Sequence, residues 1–314
     1  MVAYFNELSL PHLPLDTNVI DAFNNFGEYY LVARSCGIRE IKIDNNFFNH
    51  QFAPGYSFYQ WMEDKRADED LRTLLKGVLG SLPFVEDIFE TYEQQHGVAL
   101  EFKYKGAPCV GLGLASDIIF NSFAFSFTSA NWNLPSYTIS VTAVAESNDG
   151  EVSSMELSGN TKNIASLGHV ATHRQFIFDG VKATIQSGRE LWSNRANLFP
   201  NLNFCNSVEA QIRYMDAQTP HFQHIIDRLF DLQNIASLFT GNPIKPDDFP
   251  TRTTPESESR RKALKQELTF IDPNGNPRFC EWHSRYSPGP GRIHFFPFEN
   301  DQIILVGYIG PKIQ

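Results

Sequence analysis

The stretch FCEWHSRYSPGPGRIHFFPF, residues 279–298, decides how the C-terminal part of this sequence folds. Its first half alternates in character: the odd-numbered side chains, among them His283 and Arg285, share one face of an extended chain, and the even-numbered Trp282 and Tyr286 share the other. A period of two residues is typical of a β-strand. We therefore predict a strand here with one polar and one aromatic face.

A turn and two further strands follow. The loop SPGPG at 287–291 combines the fixed φ of proline with the positive φ open to glycine, which predicts a turn. Alternation then resumes, and Arg292 and His294 share the next polar face. The apolar run QIILVGYI at 302–309 is typical of a central strand that is buried on both faces.

The segment before these strands carries signals of a helix start. Thr254 is a candidate cap, Pro255 suits the first helical position, and Glu256 and Glu258 lie in the first turn ahead of a basic run. A short strand at 268–271 and a turn at 272–276 follow. The prediction for residues 254–314 is a helix and a four-stranded antiparallel meander.

The motifs His-x-Arg, Gly-Arg-Ile-x-Phe and Ile-Leu-Val-Gly-Tyr-Ile on such a meander resemble the RelE/HigB class of toxin ribonucleases. The resemblance covers about the last sixty residues. It implies a RelE-like domain that cuts RNA without a metal, by attack of a ribose 2′-hydroxyl on the adjacent phosphate. Carried over by position, Arg292 and Arg285 would stabilise the phosphate and His283 or His294 would move protons; Tyr308 and Lys312 are further candidates.

One position departs from the family pattern. Such toxins often carry a histidine or tyrosine just after the last strand, whereas this sequence has Pro311, Lys312 and Ile313 there. A lysine neutralises phosphate, but its ordinary pKa makes it a poor proton shuttle. The departure bears on the predicted proton transfer and not on the predicted fold.

A purely structural interpretation stays open for the same residues. The two histidines would then only cover a sheet face, and Arg285 and Arg292 would pair across strands with Glu281, Glu299 or Asp301. The alternative function is a non-catalytic RNA- or protein-binding component of a bacterial defence or toxin–antitoxin system.

Charge is unevenly distributed. The net charge is −10, yet residues 251–314 hold nine Lys/Arg and seven Asp/Glu, a net +2 that leaves −12 for residues 1–250. An acidic body argues against a general nucleic-acid coat, whereas the tail tolerates RNA phosphates. The predicted partners are RNA, with ribosome-bound mRNA as one option, and an inhibitory partner protein.

The whole chain is predicted to be α+β. Residues 1–162 form a large mixed α/β recognition or regulatory domain with an antiparallel sheet, residues 163–240 a helical region packed on it, residues 241–253 a linker, and residues 254–314 the RelE-like domain. Residues 147–150 (SNDG) are predicted to turn between two strands of the first sheet.

Other features predict no further site. No stretch is apolar enough to cross a membrane and the N-terminus lacks a signal peptide, so we expect a cytoplasmic protein. The four cysteines are widely spaced and are expected to be free and buried. A nucleotide-binding loop at Gly111-Leu-Gly113 and a metal site at His169 and His173 are not predicted, because the first lacks the full glycine motif and the second lacks a third ligand. We predict no cofactor and no metal.

Overall fold

The structure is a computed structural model that describes residues 1–146 and 152–314. The chain divides into two compact units, Met1–Ile177 and Phe178–Gln314. The predicted turn at 147–150 lies outside the described residues. None of the described helices is long and apolar enough to cross a bilayer.

The first unit contains nine described strands and six helices, the last of which runs past the boundary between the units. The strands are β1 Val2–Phe5, β2 Glu40–Lys42, β3 Gln51–Ala53, β4 Tyr56–Ser57, β5 Ala99–Tyr104, β6 Ala107–Pro108, β7 Phe123–Phe125, β8 Ser136–Glu146 and β9 Val152–Ile164. The helices are α1 Asp16–Cys36, α2 Phe58–Glu63, α3 Glu69–Leu79, α4 Val85–His96, α5 Val110–Ala115 and α6 Leu167–Ala183.

Seven strands of this unit form one mixed sheet in the order β2-β1-β7-β9-β8-β5-β6. Strands β2, β1, β7 and β9 run parallel, and the pairs β9–β8, β8–β5 and β5–β6 are antiparallel. Alternation predicts three strands of the antiparallel sheet, at residues 123–128, 136–145 and 151–157. The antiparallel pairing is correct for β8 with β9 and wrong for β7, which pairs in parallel with both of its neighbours. The reason is that β7 returns beside β1 after a long connection, and long crossovers are what parallel pairing requires.

Aromatic side chains fill the core of this unit. The apolar positions of α1 that helical spacing predicts to face inward, Ile20, Phe23, Phe26 and Tyr30, are all buried. Phe23 stacks on Trp61 of α2 with ring centroids 4.4 Å apart. Helical periodicity thus identified the buried face of α1 from sequence.

The second unit contains seven strands and four further helices. The strands are β10 Leu202–Phe204, β11 Thr253–Pro255, β12 Thr269–Ile271, β13 Pro277–Phe279, β14 Trp282–Tyr286, β15 Gly291–Phe298 and β16 Ile303–Pro311. The helices are α7 Gly188–Leu198, α8 Ser207–Ile212, α9 Phe222–Ala236 and α10 Glu258–Ala263.

Five of these strands form one sheet in the order β10-β16-β15-β14-β11. Strands β16, β15, β14 and β11 are antiparallel, as predicted for the tail, and β10 joins β16 in parallel. The predicted four-stranded meander includes the wrong strands. β12 and β13 form a separate hairpin, and the sheet contains β10 and β11 beside β14, β15 and β16.

The predicted helix start at Thr254 is also wrong. Thr254 and Pro255 belong to β11, and α10 begins at Glu258. β11 is an edge strand, a place where proline is tolerated because its missing N–H is not needed by a further neighbour. The local sequence of Thr254 and Pro255 is therefore compatible with a helix start and with an edge strand. They form a strand because they pair with β14.

The boundary between the compact units differs from the predicted domain boundaries. It lies at residues 177 and 178, inside the region predicted to be helical, and β10 belongs to the C-terminal sheet. The predicted linker 241–253 ends in β11. The apolar stripe of α9, with Ile225, Ile226 and Leu229 fully buried, belongs to the core of this second unit.

Candidate active site

The register of the C-terminal sheet brings four predicted site residues together. His283 lies opposite His294, and Arg285 lies opposite Arg292, on the antiparallel pair β14–β15. Positions two apart on one strand share a face, so all four side chains start from one face of the sheet. The two imidazole rings have centroids 5.5 Å apart.

Both histidines are buried. His283 is 4% exposed and His294 is 1% exposed. Burial lowers the pKa of His294 to about 4, and burial also holds the pKa of His283 below its usual range, although the charge of Glu256 opposes that shift. Both imidazoles are therefore neutral at pH 7. The Nδ1 of His294 lies 3.3 Å from the carbonyl oxygen of Cys280.

The structure adds Glu256 to this cluster, a residue that sequence analysis assigned to the first turn of a helix. Glu256 follows β11, and its backbone N–H donates to the carbonyl of Glu281 beside β14. Its Oε1 lies 3.5 Å from Nδ1 of His283, and its Oε2 accepts a 2.8 Å hydrogen bond from Nε of Arg260. Burial raises the pKa of Glu256, but Arg260 and the two histidines outweigh burial, and the pKa lies below its usual range.

Arg285 and Arg292 have no carboxylate within ion-pairing distance in the described parts of the chain. Of the predicted pairing partners, Glu281 is bonded to Arg261 instead, at 2.9 Å, and neither Glu299 nor Asp301 pairs with Arg285 or Arg292. The predicted cross-strand ion pairs are therefore wrong. The Nε atoms of Arg285 and Arg292 are buried without a hydrogen-bond partner among the described residues.

These two arginines add positive charge to a confined space. Burial and the charge of Arg285 lower the pKa of Arg292, and Arg260 and Arg252 act in the same direction, while Glu256 opposes them. Arg252 is held beside Arg285, whose backbone N–H donates to the Arg252 carbonyl. Arg292 therefore experiences the charges of three other guanidinium groups and of only one carboxylate, so an anion would be stabilised here.

Tyr308 borders the cluster, whereas Lys312 does not contact it. Tyr308 lies opposite His294 on β16 with ring centroids 6.0 Å apart, and its hydroxyl donates to the Pro311 carbonyl. Lys312 is exposed beyond the end of β16. The carbonyl of the next residue, Ile313, accepts a 2.7 Å hydrogen bond from Arg260, which brings the chain after Lys312 close to Glu256.

The histidine pair and the glycine pair of the first unit have structural explanations. His169 and His173 direct Nε2 at the carbonyl oxygens of Asn133 and Pro135, at 3.0 and 2.7 Å, and they join no metal-ligand cluster within the described residues. At Gly111 an added Cβ would lie 1.9 Å from the Phe5 carbonyl oxygen. This glycine is required by close packing of α5 on β1.

All four cysteines are free and buried, as the sequence predicts.

Comparison of the chain with models of known protein families, with curated proteins and with solved structures finds no match. The RelE/HigB resemblance therefore stays a prediction. The candidate site is the cluster of Glu256, His283 and His294 with Arg260, Arg285 and Arg292, which we call the His–Arg face.

Proposed function

We propose that the second unit is a metal-independent endoribonuclease that cleaves RNA by 2′-hydroxyl attack, acting as a toxin or antiphage-defence effector in the cytoplasm. The observation that carries the proposal is the position of two arginines, Arg285 and Arg292, that have no carboxylate partner. Each lies two residues along its strand from a neutral imidazole on the same face of the sheet. Anion stabilisation and proton transfer are the two things this reaction needs.

The arginines are the proposed phosphate ligands. A guanidinium group donates several N–H groups in one plane, and it matches the oxygens of a phosphodiester. Arg292 is buried and Arg285 is half-buried, so a bound phosphate would be only partly solvated. Charge that develops on the phosphorus oxygens in the transition state would gain more from these donors than it would in water.

The histidines and the carboxylate are the proposed proton-transfer groups. His283, next to Glu256, takes the proton from the 2′-hydroxyl as the 2′-oxygen bonds to phosphorus. His294 takes up a proton from solvent when its pKa rises beside the bound phosphate. The bond from phosphorus to the 5′-oxygen then breaks, and His294 gives that proton to the leaving oxygen. The products are a 2′,3′-cyclic phosphate and a free 5′-hydroxyl.

Burial of the imidazoles requires that the site open when RNA binds. Arg260 bridges Glu256 and the Ile313 carbonyl, and both contacts lie beside the histidines. A phosphate competing for Arg260 would release one or both of them. The half-buried Arg285 is the group that an approaching phosphate would meet first.

Cleavage of RNA by the purified full chain, with EDTA, tests the proposal, both alone and with translating ribosomes. The variants are Arg285→Ala, Arg292→Gln and the pair Arg292→Ala with His294→Ala. We expect each single change to slow cleavage about 100-fold or more, since loss of one donor to an oxyanion costs about 3 kcal/mol, and the pair to abolish it. The pair Arg213→Ala with His224→Ala removes an exposed arginine and an exposed histidine of the same unit and serves as the matched control.

A thermal melt accompanies each variant, because Arg292 and His294 are buried. Loss of cleavage with an unchanged melt supports catalysis. Cleavage by wild type that Arg285→Ala and Arg292→Gln leave intact would refute the proposed site, whatever the pair does.

The second candidate function is a non-catalytic protein that binds RNA or a partner protein through the same face. The observation that favours it is the burial of His283 and His294. Catalysis requires these side chains to reach the RNA, whereas binding through the rest of the face does not. It is the better account if no RNA is cut under either condition while RNA binding weakens with Arg285→Ala and with rising salt.

A further inference from the structure

Glu256, His283 and His294 form a compact set of metal-ligand types. One ligand atom from each residue lies within 4.8 Å of the others, and all three residues are buried. No other group of three or more His, Cys, Asp or Glu side chains in residues 1–146 and 152–314 is arranged in this way. The RelE/HigB resemblance does not imply such a metal site, because it implies a nuclease that works without a metal.

The distance between His283 and Glu256 fits a shared metal better than a direct hydrogen bond. Nδ1 of His283 is 3.5 Å from Oε1 of Glu256 and is buried with no hydrogen-bond partner among the described residues. A hydrogen bond of this kind would measure about 2.7–3.2 Å. Two ligands of a tetrahedral Zn²⁺ bound at about 2.0–2.1 Å lie about 3.3–3.4 Å apart.

The other two ligands are oriented by neighbours, as metal ligands commonly are. Nδ1 of His294 faces the Cys280 carbonyl, an arrangement that leaves Nε2 unprotonated when Nδ1 donates. Oε2 of Glu256 is held by Arg260, so Oε1 is the oxygen left for a metal. Small movements of His294 would complete a three-ligand site with room for a fourth, non-protein ligand.

The donor atoms indicate the class of metal. Two imidazole nitrogens and one carboxylate suit Zn²⁺ and related transition ions, whereas Mg²⁺ and Ca²⁺ prefer oxygen ligands. We infer that Glu256, His283 and His294 bind Zn²⁺ or a chemically similar transition ion, and that this ion inhibits the chemistry of the His–Arg face. The inhibitory half of this inference rests on the proposed function, while the binding half does not.

Inhibition follows from competition for the same atoms. A histidine nitrogen that is bound to a metal cannot accept or deliver a proton, and a carboxylate bound to the metal no longer faces His283. The charges of Arg285, Arg292, Arg260 and Arg252 oppose a cation here, and the carboxylate of Glu256 offsets them only in part. We therefore expect reversible binding that EDTA removes.

Titration of the EDTA-treated, dialysed full chain with ZnCl₂ by calorimetry tests the binding half without any RNA. We expect one ion per chain at this site and a higher melting temperature with zinc, and no such response to MgCl₂. Glu256→Gln and His283→Gln are expected to weaken zinc binding at least about tenfold. His224→Ala removes an exposed histidine of the same unit and is expected to leave the affinity unchanged.

Two results would overturn the site: no saturable zinc binding, or equal affinity in wild type, Glu256→Gln and His283→Gln. Glutamine is close in size to both replaced side chains, so we expect each variant to fold. A thermal melt of each variant without zinc checks this. If one variant is unfolded, the zinc affinity of the other decides the test. In the RNA assay, zinc is expected to stop cleavage and excess EDTA to restore it. If the chain binds zinc but cuts no RNA, the metal site stands and the proposed ribonuclease function is refuted. If the chain cuts RNA equally well with saturating zinc, inhibition by zinc is refuted.

Discussion

Glu7 is the clearest case in the first unit of a single side chain tuned by its surroundings. It follows β1, and its carboxylate oxygens lie 3.1 and 3.3 Å from the backbone nitrogen of Gly111. Burial raises the pKa of Glu7 to about 7, and the charge of Asp44 adds to the rise, while the amides of Gly111 and Val110 act against it. A carboxyl in this position is half protonated near pH 7.

This pKa gives an expected dependence of stability on pH. Because the pKa of Glu7 is higher in the folded chain than its ordinary value of 4.5, the folded state holds the proton more tightly. The group therefore favours folding fully below about pH 4.5, and that contribution is lost as pH rises through 7. In Glu7→Gln this dependence disappears. We expect urea unfolding to show that the variant gains about 3 kcal/mol on wild type between pH 4.5 and pH 8. A difference between the two proteins that does not change with pH would refute the assignment.

Among site residues, those set by strand periodicity were predictable and those set by pairing were not. His283, Arg285, Arg292 and His294 follow from a period of two on either side of one turn, and the register brings them together. Glu256 directly follows β11, which is separated from β14 along the chain by α10 and the β12–β13 hairpin, and its local sequence favours a helix. The available signal was a carboxylate beside Pro255 at a possible edge strand, which single-sequence patterns do not separate from a helix start.

At the scale of elements, α5 shows how close packing accounts for a glycine pair that resembles a phosphate-binding loop. A Cβ at Gly111 would meet the Phe5 carbonyl at 1.9 Å, and one at Gly113 would meet the Phe102 ring at 2.1 Å. Backbone atoms of β1 cannot yield as a flexible side chain would. The glycines let the helix lie directly on the sheet.

Gly111→Ala should therefore destabilise the first unit. We expect a loss of about 2–3 kcal/mol in the free energy of unfolding, the cost of overpacking a rigid core. Gly77→Ala is the matched control, because Gly77 is exposed within α3 and nothing lies within 4 Å of its added Cβ. There alanine is expected to stabilise by about 0.5–1 kcal/mol. Urea unfolding of both variants checks the pair, and a neutral Gly111→Ala would show that α5 can move away from β1.

Element identity was predictable where a long periodic segment decided it, as in α1, α9 and β16. Short elements were not, because three residues of β10 or β11 have no period of their own. β10 becomes a strand only because Leu202, Asn203 and Phe204 pair with Ile304, Leu305 and Val306, a hundred residues later. Such pairing is a property of the folded sheet and leaves no local mark in the sequence.

At the scale of the whole molecule, the C-terminal sheet depends on segments far outside residues 254–314. β10 pairs with β16, the backbone N–H of Ile309 donates to Gln211 at 2.7 Å, and the apolar stripe of α9 is buried in the same unit. These segments all lie within Phe178–Gln314. The core that holds the His–Arg face is therefore that of the longer unit.

Two fragments of the chain should behave differently for this reason. Residues 178–314 are expected to unfold cooperatively in urea with dispersed amide signals by NMR, since β10, α8 and α9 are retained. Residues 254–314 are expected to be disordered, because removing α9 exposes Ile293, Phe295, Val306 and other apolar side chains that are buried in the unit, and a core this small seldom stabilises sixty residues alone. Cooperative unfolding of the shorter fragment would establish residues 254–314 as an independent domain with the predicted boundaries. If instead both fragments were disordered, the compact unit would require the preceding residues to fold.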